Sequence, residues 1–419
     1  QSHPPSVKRE ILHMTTTHSA IVLAGVPSIN KAVYHRIRFA AHDPAIIIET
    51  PGTPGTPGTP GAGGAPVRTL ILRDVEVARA KAHARADRVF CYEDFTPPPG
   101  IFSASGGLSG DREIRAAQSA AECLRRMKIR TITVDRSFPF LFADTIRSAN
   151  IEVVLDPELG VRERRSKDAH EVEALRRAQS VTEDAIEMAL TLIARAQTRS
   201  DGVLIDPDDS SQPLTSESVM RRIDVFLMER GLSSDGHIVA AGAAGGDCHN
   251  PGSGPIRTGE PVIVDVFPRD NATGYHGDCT RMVVHGDIPD GIRKMHAAVV
   301  EAKRAAIAAT RAGVTGEDVH HAAIEVIQRH GYALGFPAED APSGFCSMPH
   351  GTGHGLGLDL KEPPLLDMKG PELVVGDAVT IEPGLYMPGV GGMRLEDLVI
   401  VTEDGCENLN RLGEGLEWG

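Results

Sequence analysis

The sequence predicts an α/β domain followed by a larger α+β domain, with a boundary near residues 160–168. Over the first 160 or so residues, short apolar runs alternate with amphipathic helical patterns, which is typical of α/β domains. Beyond that point, long helical patterns and strand-like segments favour helices that cover one face of an antiparallel sheet. A chain of 419 residues is also too long for one ordinary core. We therefore expect domains at residues 1–164 and 165–419.

The elements of the first domain follow from short apolar runs and one proline- and glycine-rich interruption. The predicted strands are AIVLAG (20–25), AIII (45–48), TLILRD (69–74), RVFCYEDF (88–95), TITVD (131–135) and IEVVLD (151–156). Helical spacing predicts helices over 111–127 and 140–149. The tract TPGTPGTPGTPGAGGAP (50–66) cannot pack a core, so we expect an exposed loop between two strands.

The second domain begins with a helix start signal. Asp168, followed three residues later by Glu171, forms a capping-box pattern ahead of a long amphipathic stretch. The patterns predict further helices over 220–231, 292–313 and 315–331, and strands over 261–267, 281–286, 378–383 and 397–405.

Composition excludes several classes of protein. A formal net charge of -14 argues against a nucleic-acid surface. No apolar run approaches the roughly 20 residues needed to span a bilayer. The first residues contain no apolar segment typical of a signal peptide, so none is expected. The six cysteines are scattered without a CxxC pair, which argues against a zinc knuckle or a disulfide scaffold. That distribution favours a reducing compartment, and we expect a cytoplasmic protein.

Four carboxylates occupy positions that a packed strand disfavours. They are Asp265, Asp278, Glu382 and Glu396, and such residues are rarely buried unless paired. The first two flank the turn-rich segment PRDNATGYHG, and the last two flank PGLYMPGVGGMRL. Each pair can therefore meet across a hairpin, although unrelated surface acids would give the same pattern.

Four converging carboxylates would repel one another, and two divalent cations would balance them. Oxygen-rich ligation with one imidazole suits Mn²⁺, or Co²⁺, better than a structural zinc site. The segment PHGTGHGLGLDLKEPP contains His350 and His354, four residues apart. Glycines at alternate positions do not suit a helix, so this is not a helical zinc pair. His354 is the expected imidazole ligand because its glycine neighbours allow close approach.

These motifs resemble the pita-bread metallopeptidases, a group that includes aminopeptidase P, prolidase, methionine aminopeptidase and the metal-free creatinase. The resemblance covers the whole second domain through HNPGSG, VDVFPRDNATGYHGDCTR, PHGTGHGLGL, TIEPGLY and MRLEDLVIVTEDG, in that order. It implies a curved antiparallel sheet in that domain. By order and size, the first domain is similar to the amino-terminal domain of the aminopeptidase P, prolidase and creatinase branch.

The resemblance implies a dinuclear exopeptidase that cleaves Xaa-Pro bonds in dipeptides or at peptide N-termini, using a hydroxide between two metals. The implied ions are Mn²⁺, with Co²⁺ or Zn²⁺ as alternatives, and a homodimer is implied. Asp278 and Glu396 would bridge the ions. The implied ligands are Asp265, Asp278, His354, Glu382 and Glu396, and Glu382 is also the implied proton shuttle. His249 and His350 are implied to contact the substrate. Thr280 and Arg394 are implied to orient the ligands.

Two departures from the family pattern bear on function. Asp265 and Asp278 are thirteen positions apart, two more than is usual, so we expect a longer loop with both side chains still on one face. Lys361 stands where the family usually has a substrate-binding histidine. Its ammonium either reaches solvent or pairs with a substrate carboxylate, which would favour dipeptides.

Two other classes remain open from the sequence. One is a pita-bread binding or scaffold protein without catalysis, and the other is a metal-free, creatinase-like amidino hydrolase. Neither requires a complete set of five ligands, and all five positions here carry residues able to bind a metal.

Overall fold

The structure is a computed structural model that describes residues 19–52, 65–342 and 344–418. The chain divides into two compact units between Arg164 and Arg165. Most of the tract predicted as an exposed loop, residues 53–64, lies outside the described residues. In the part of the chain that is described, no helix is both long and apolar enough to cross a membrane.

The first unit contains a six-stranded mixed sheet. Its strands are β1 (Ser19–Gly25), β2 (Ala45–Thr50), β3 (Val67–Leu72), β4 (Arg88–Cys91), β5 (Thr131–Val134) and β6 (Glu152–Leu155). Their order is β4-β3-β2-β1-β5-β6. The isoleucine run of β2 is buried on both faces, because Ile46 and Ile48 join one apolar cluster and Ile47 joins the other. The predicted α/β class of this unit is confirmed.

Helices α1 (Lys31–Ile37), α2 (Asp74–His83), α3 (Arg112–Arg126) and α4 (Phe140–Ser148) accompany this sheet, and α5 (Val161–Arg165) follows it. The two predicted helices correspond to α3 and α4. The sequence patterns did not predict α1 and α2, because each shows little apolar periodicity. In α2 only Ala80 is buried, and α1 is a short helix capped by Asn30, whose side chain accepts a hydrogen bond from the Val33 amide.

The helices of the second unit are α6 (Ala169–Ala194), α7 (Ser216–Glu229), α8 (Asp290–Ala309) and α9 (Gly316–Arg329). The predicted capping box of α6 is present. Asp168 accepts from the amides of His170 and Glu171, while the Glu171 carboxylate accepts from the Asp168 amide at 2.9 Å. Helix α7 begins four residues earlier than predicted, because Thr215 forms a cap with Ser218.

The strands of the second unit form several small sheets. They are β7 (Leu232–Ser233), β8 (His237–Ala241), β9 (Pro261–Val266), β10 (Arg269–Asp270), β11 (Cys279–Val284), β12 (Ala333–Leu334), β13 (Ser347–Met348), β14 (Gly353–Gly355), β15 (Glu362–Leu366), β16 (Ala378–Ile381), β17 (Gly384–Met387), β18 (Gly391–Arg394), β19 (Asp397–Val401) and β20 (Cys406–Asn408). The sheet orders are β10-β7, β11-β9-β8, β12-β13-β17-β18 and β15-β14-β16-β19-β20. Within the described residues, the only parallel pair in these sheets is β12 with β13.

The three-stranded sheet differs from the expected one-sided layer, because both of its faces are buried. Val262 and Val264 of β9 pack in a cluster with α6 and α7, whereas Ile263 packs in a cluster with α8 and α9. This explains why the VIVDVF segment is almost continuously apolar. Asp265 shares a strand face with Ile263, so its carboxylate lies inside the unit.

Candidate metal centre

Three of the predicted ligands meet in the interior of the second unit. Oxygen and nitrogen atoms of Asp278, His354 and Glu396 lie within 4.8 Å of one another, and all three residues are buried. The Nε2 atom of His354 lies 3.8 Å from Asp278 Oδ2 and 3.5 Å from Glu382 Oε1. Carboxylates from both predicted hairpins therefore lie close to one imidazole.

Strand register brings the first two carboxylates together. In the β9–β11 ladder Asp265 pairs with Thr280, so Asp278, just before β11, lies diagonally across from it. The longer loop between them contains β10, which pairs with β7. Gly277 fits tightly against α6, since a Cβ atom there would overlap the Thr182 hydroxyl.

The second pair of carboxylates lies where the chain passes from one sheet to another. Ile381 of β16 pairs with Asp397 of β19, which places Glu382 and Glu396 at neighbouring strand ends. The segment between them forms the β17–β18 hairpin of a different sheet. A backbone hydrogen bond of 3.1 Å from the Glu396 amide to the Thr280 carbonyl joins this region to β11.

The glycine-rich segment forms an extended strand, β14, rather than a helix. Gly353 is required because a Cβ atom there would overlap the carbonyl oxygen of Thr380. The His354 amide donates to Thr380 Oγ1 at 3.0 Å, and its ring Nδ1 lies 3.1 Å from the Gly355 carbonyl oxygen. A carbonyl only accepts, so Nδ1 carries a proton, and Nε2 is the ring nitrogen that faces the carboxylates. A metal-binding histidine typically presents Nε2 to the ion while Nδ1 donates to a carbonyl in this way.

Arg394 connects the predicted ligands through its guanidinium group. It donates to Asp265 Oδ2 at 2.6 Å, to Thr280 Oγ1 at 3.2 Å and to Tyr386 Oη at 2.7 Å. Thr280 in turn donates to Glu396 Oε2 at 2.8 Å. The remaining oxygen of Asp265, Oδ1, is buried without a hydrogen-bond partner among the described residues. A buried oxygen in that state fits the role of a metal ligand.

The electrostatics of the cluster also fit a cation. Burial, and then the neighbouring carboxylates, raise the pKa values of Asp278 and Glu396 well above their usual range. Burial also raises the pKa of Glu382, but electrostatic interactions with His354, then His350 and Arg394, outweigh it and the net shift of the pKa is downward. Carboxylates around one imidazole form a donor set that divalent metals bind, so these residues fit a metal site.

His350 lies beside the cluster and contacts a residue whose role the sequence did not indicate. Its Nδ1 lies 2.7 Å from the Gly351 carbonyl oxygen, and its Nε2 lies 3.0 Å from Tyr386 Oη. Burial lowers the pKa of His350, which favours the neutral ring. Tyr386 therefore accepts from Arg394 and donates to His350. Tyr386 stands in the TIEPGLY motif, and its need for a partner when buried was the available signal.

The other two predicted substrate residues are exposed. His249 lies at the protein surface, yet an electrostatic interaction with it contributes to the lowered pKa of His350. The preceding carbonyl of Cys248 accepts from Arg394 at 3.2 Å. Lys361 is also exposed, and its charge acts on Asp278 and Glu382. Neither side chain is among the three groups that meet within 4.8 Å.

The fold and this buried donor set together are similar to those of the pita-bread metallopeptidases. Residues 173–403, more than half of the chain, match the sequence profile of Metallopeptidase family M24. The chain therefore belongs to metallopeptidase family M24.

Individual relatives agree with this assignment. The chain is similar to a probable dipeptidase, PepE, of Mycobacterium tuberculosis, with 39% identity over 176 residues, which is 41% of this chain and 43% of that protein. It is also similar to an Xaa-Pro dipeptidase of Pyrococcus furiosus, with 32% identity over 37% of this chain and 41% of that protein. The matched region thus spans less than half the length of these curated relatives.

A solved structure extends the likeness of fold over almost the whole chain. The structure of an Xaa-Pro dipeptidase from Bacillus anthracis superposes with a TM-score of 0.72 and 21% identity, covering 95% of this chain and 94% of that one. The predicted fold, an α/β domain followed by a pita-bread domain, is confirmed.

Proposed function

We propose that this protein is a metal-dependent exopeptidase that hydrolyses Xaa-Pro bonds, either in dipeptides or at the N-terminus of peptides. The observation that carries this proposal is the buried cluster of Asp278, His354 and Glu396. The Xaa-Pro dipeptidase relative, at 32% identity, supports the substrate class. All of the proposed site residues belong to the second unit, residues 165–419, which we assign as the catalytic domain.

The proposed cofactor is a pair of Mn²⁺ ions. Asp265, Asp278, His354, Glu382 and Glu396 would hold them. When bound, the metals would supply a water of lowered pKa and polarise the substrate carbonyl.

Glu382 is the proposed proton carrier. Its side chain is 20% exposed, whereas those of Asp278 and His354 are each 7% exposed, so Glu382 is the most open of these groups. It can take a proton from the attacking water and pass it to the proline nitrogen as the bond breaks. This step matters because the nitrogen of an Xaa-Pro bond bears no hydrogen and must gain one to leave as an amine.

His350 and Tyr386 are the proposed partners of the oxygen that becomes negative. In the hydrogen bond of 3.0 Å between Nε2 and Oη, Tyr386 keeps the proton and donates it to His350, and Arg394 fixes the hydroxyl from the other side. A hydroxyl held in this way can turn from His350 to the developing oxyanion.

His249 and Lys361 are the proposed substrate-binding groups at the mouth of the site. Both are exposed, so a substrate can reach them. We assign His249 to the proline side of the substrate. The Lys361 ammonium would pair with the terminal carboxylate of a dipeptide, which gives short substrates an advantage.

Elemental analysis of the purified protein and hydrolysis of three peptides test the proposal together. The expected result is about two transition-metal ions per chain, with cleavage of Ala-Pro, slower cleavage of Ala-Pro-Ala and none of Ala-Ala. A folded protein without metal would favour a binding protein or a metal-free amidino hydrolase instead. A homodimer, proposed from the family resemblance, would give twice the monomer mass by sedimentation.

A further inference from the structure

A buried glutamine of helix α6 forms hydrogen bonds with the backbone of one proposed metal ligand. Gln179 is 0% exposed, and its side-chain amide forms both possible hydrogen bonds with the Asp278 residue. Its Nε2 donates to the Asp278 carbonyl at 2.7 Å, and its Oε1 accepts from the Asp278 amide at 2.9 Å. The Gln179 side chain therefore makes the two backbone hydrogen bonds with Asp278, just before β11, that a neighbouring strand would otherwise make.

The same glutamine contacts a second amide, Asn410, in the segment after β20. Gln179 Nε2 donates to Asn410 Oδ1 at 3.0 Å, and the Leu398 amide donates to the same oxygen at 2.8 Å. Leu398 is two residues beyond Glu396 in β19. Asn410 Nδ2 also lies 3.3 Å from the sulfur of Cys279. We call Gln179 and Asn410 the amide bridge.

The amide bridge joins strands of two different sheets. Asp278 leads into β11 of the three-stranded sheet, and Glu396 leads into β19 of the five-stranded sheet. The backbone bond from Glu396 to the Thr280 carbonyl is a second link between the two strands. The side chains of Asp278 and Glu396 contribute to the same ligand cluster. Their separation therefore depends on how firmly β11 and β19 are held to each other.

We propose that the amide bridge positions the Asp278 and Glu396 carboxylates for metal binding. Gln179 and Asn410 are positioning residues, since they bond to each other, to the backbone of Asp278 and Leu398 and to the Cys279 sulfur rather than to the carboxylates. Loss of outer hydrogen-bonding groups around a metal site typically weakens affinity about 10–100-fold. This inference rests on the proposed function in one respect, namely that these carboxylates bind a metal.

The test compares Gln179→Met with Ser180→Ala. Methionine keeps the length and helix propensity of glutamine but removes both hydrogen bonds to Asp278. Ser180 is the adjacent residue of α6, and its hydroxyl accepts from Arg411, next to Asn410, at 2.9 Å. The control thus removes a bond between the same helix and the same segment without touching a ligand.

The measurement is calorimetric titration of metal-depleted, full-length protein with Mn²⁺. We expect Gln179→Met to bind Mn²⁺ at least tenfold more weakly, and Ser180→Ala to bind within twofold of the unchanged protein. Added Mn²⁺ should also restore the hydrolysis rate of Gln179→Met. Equal affinity of Gln179→Met and the unchanged protein would overturn the inference. A loss of affinity of the same size in Ser180→Ala would also overturn it.

If Gln179→Met does not fold by circular dichroism, Asn410→Ala replaces it, with the same expected loss and the same contradicting outcome. The double variant, where it folds, should lose less affinity than the product of the two single losses, because both residues act through one bridge. Failure of the proposed function is seen separately. In that case the unchanged protein would bind Mn²⁺ but leave Ala-Pro intact, and the comparison of affinities would still stand.

Discussion

Arg394 Nη2 lies 2.6 Å from Asp265 Oδ2, and both side chains are buried beside the proposed metal ligands. The same guanidinium also reaches Thr280 and Tyr386. A lysine has one compact charged group and cannot serve three partners in these directions. We therefore expect Arg394→Lys to lower metal affinity or kcat/KM for Ala-Pro by about 10–100-fold.

Metal titration and peptide hydrolysis of the folded variant measure this effect. Arg411→Lys is the control, because Arg411 is exposed and contacts Ser180 rather than a ligand. If Arg394→Lys matched the control in both measurements, the guanidinium would have no orienting role.

Behind the site, Lys303 forms a buried ion pair. Its Nζ lies 2.6 Å from Asp397 Oδ2 and 2.7 Å from Glu414 Oε1, and its side chain is 0% exposed. Removing one partner of such a pair leaves a buried charge, so Lys303→Met should lower the free energy of unfolding by about 3–5 kcal/mol.

Arg304→Met provides the matched comparison in urea unfolding. Arg304 contacts the other oxygen of Glu414 at 3.2 Å, but its side chain is 72% exposed. An exposed pair contributes about 0–1 kcal/mol. Similar losses in the two variants would mean that burial of Lys303 adds nothing.

The sequence predicted those features that depend on residues close together in the chain. The apolar strands with carboxylates near their ends predicted the positions of the strands, and two of those carboxylates, Asp278 and Glu396, lie close to His354. Alternation in a strand decides which face each residue occupies. Glycine at alternate positions around His354 likewise excluded a helix. Caps such as Asp168 with Glu171 gave the starting residue of α6.

Features set by distant contacts could not be predicted in this way. Gln179 reads as one polar residue in a helix, and only the packing of α6 against the turn before β11 gives it the Asp278 backbone as a partner. Tyr386 acquires its role from Arg394, across the β17–β18 hairpin. Buried Lys303 lies on an otherwise amphipathic helix, and its carboxylate partners are more than ninety residues away.

We expect the protein to lose stability at mildly acidic pH because of His320 in α9. Burial lowers the pKa of His320, and this is the largest effect. Smaller electrostatic effects come from Asp367 and Glu317, which raise the pKa, and from His321, which lowers it. Its Nδ1 lies 2.9 Å from Thr352 Oγ1. The unfolded chain binds a proton near pH 6.5. The folded protein binds it only at lower pH, so stability is lost as the pH falls below about 6.5.

Urea unfolding at pH 7.5 and pH 5.5 measures this difference. His320→Gln should reduce the loss of stability between the two pH values, because glutamine does not titrate. His321→Gln, the exposed neighbour on the same helix, is the control. An unchanged pH dependence in His320→Gln would remove His320 as its source.

We expect Lys361 to influence which length of substrate the protein prefers. If its ammonium pairs with a dipeptide carboxylate, Lys361→His should lower the ratio of kcat/KM for Ala-Pro to that for Ala-Pro-Ala by about tenfold. That factor corresponds to about 1.4 kcal/mol, close to the value of a charge-assisted hydrogen bond. Lys294→His, on the exposed face of α8, is the control. An unchanged ratio would mean that Lys361 points only to water.

Removal of metal should destabilise the protein only while the ligand set is intact. A metal present at 100 times its Kd stabilises the folded state by about 2.7 kcal/mol. Chelation of the unchanged protein should therefore lower its unfolding temperature by roughly 5–10 °C and abolish hydrolysis of Ala-Pro.

Asp278→Asn should bind no metal, hydrolyse nothing and show no response to the chelator. Asp287→Asn, an exposed aspartate beyond β11, should respond as the unchanged protein does. Because the Asp278 carboxylate is lost in one variant and retained in the other, a chelator response that persists in Asp278→Asn would contradict the assignment of Asp278 as a ligand.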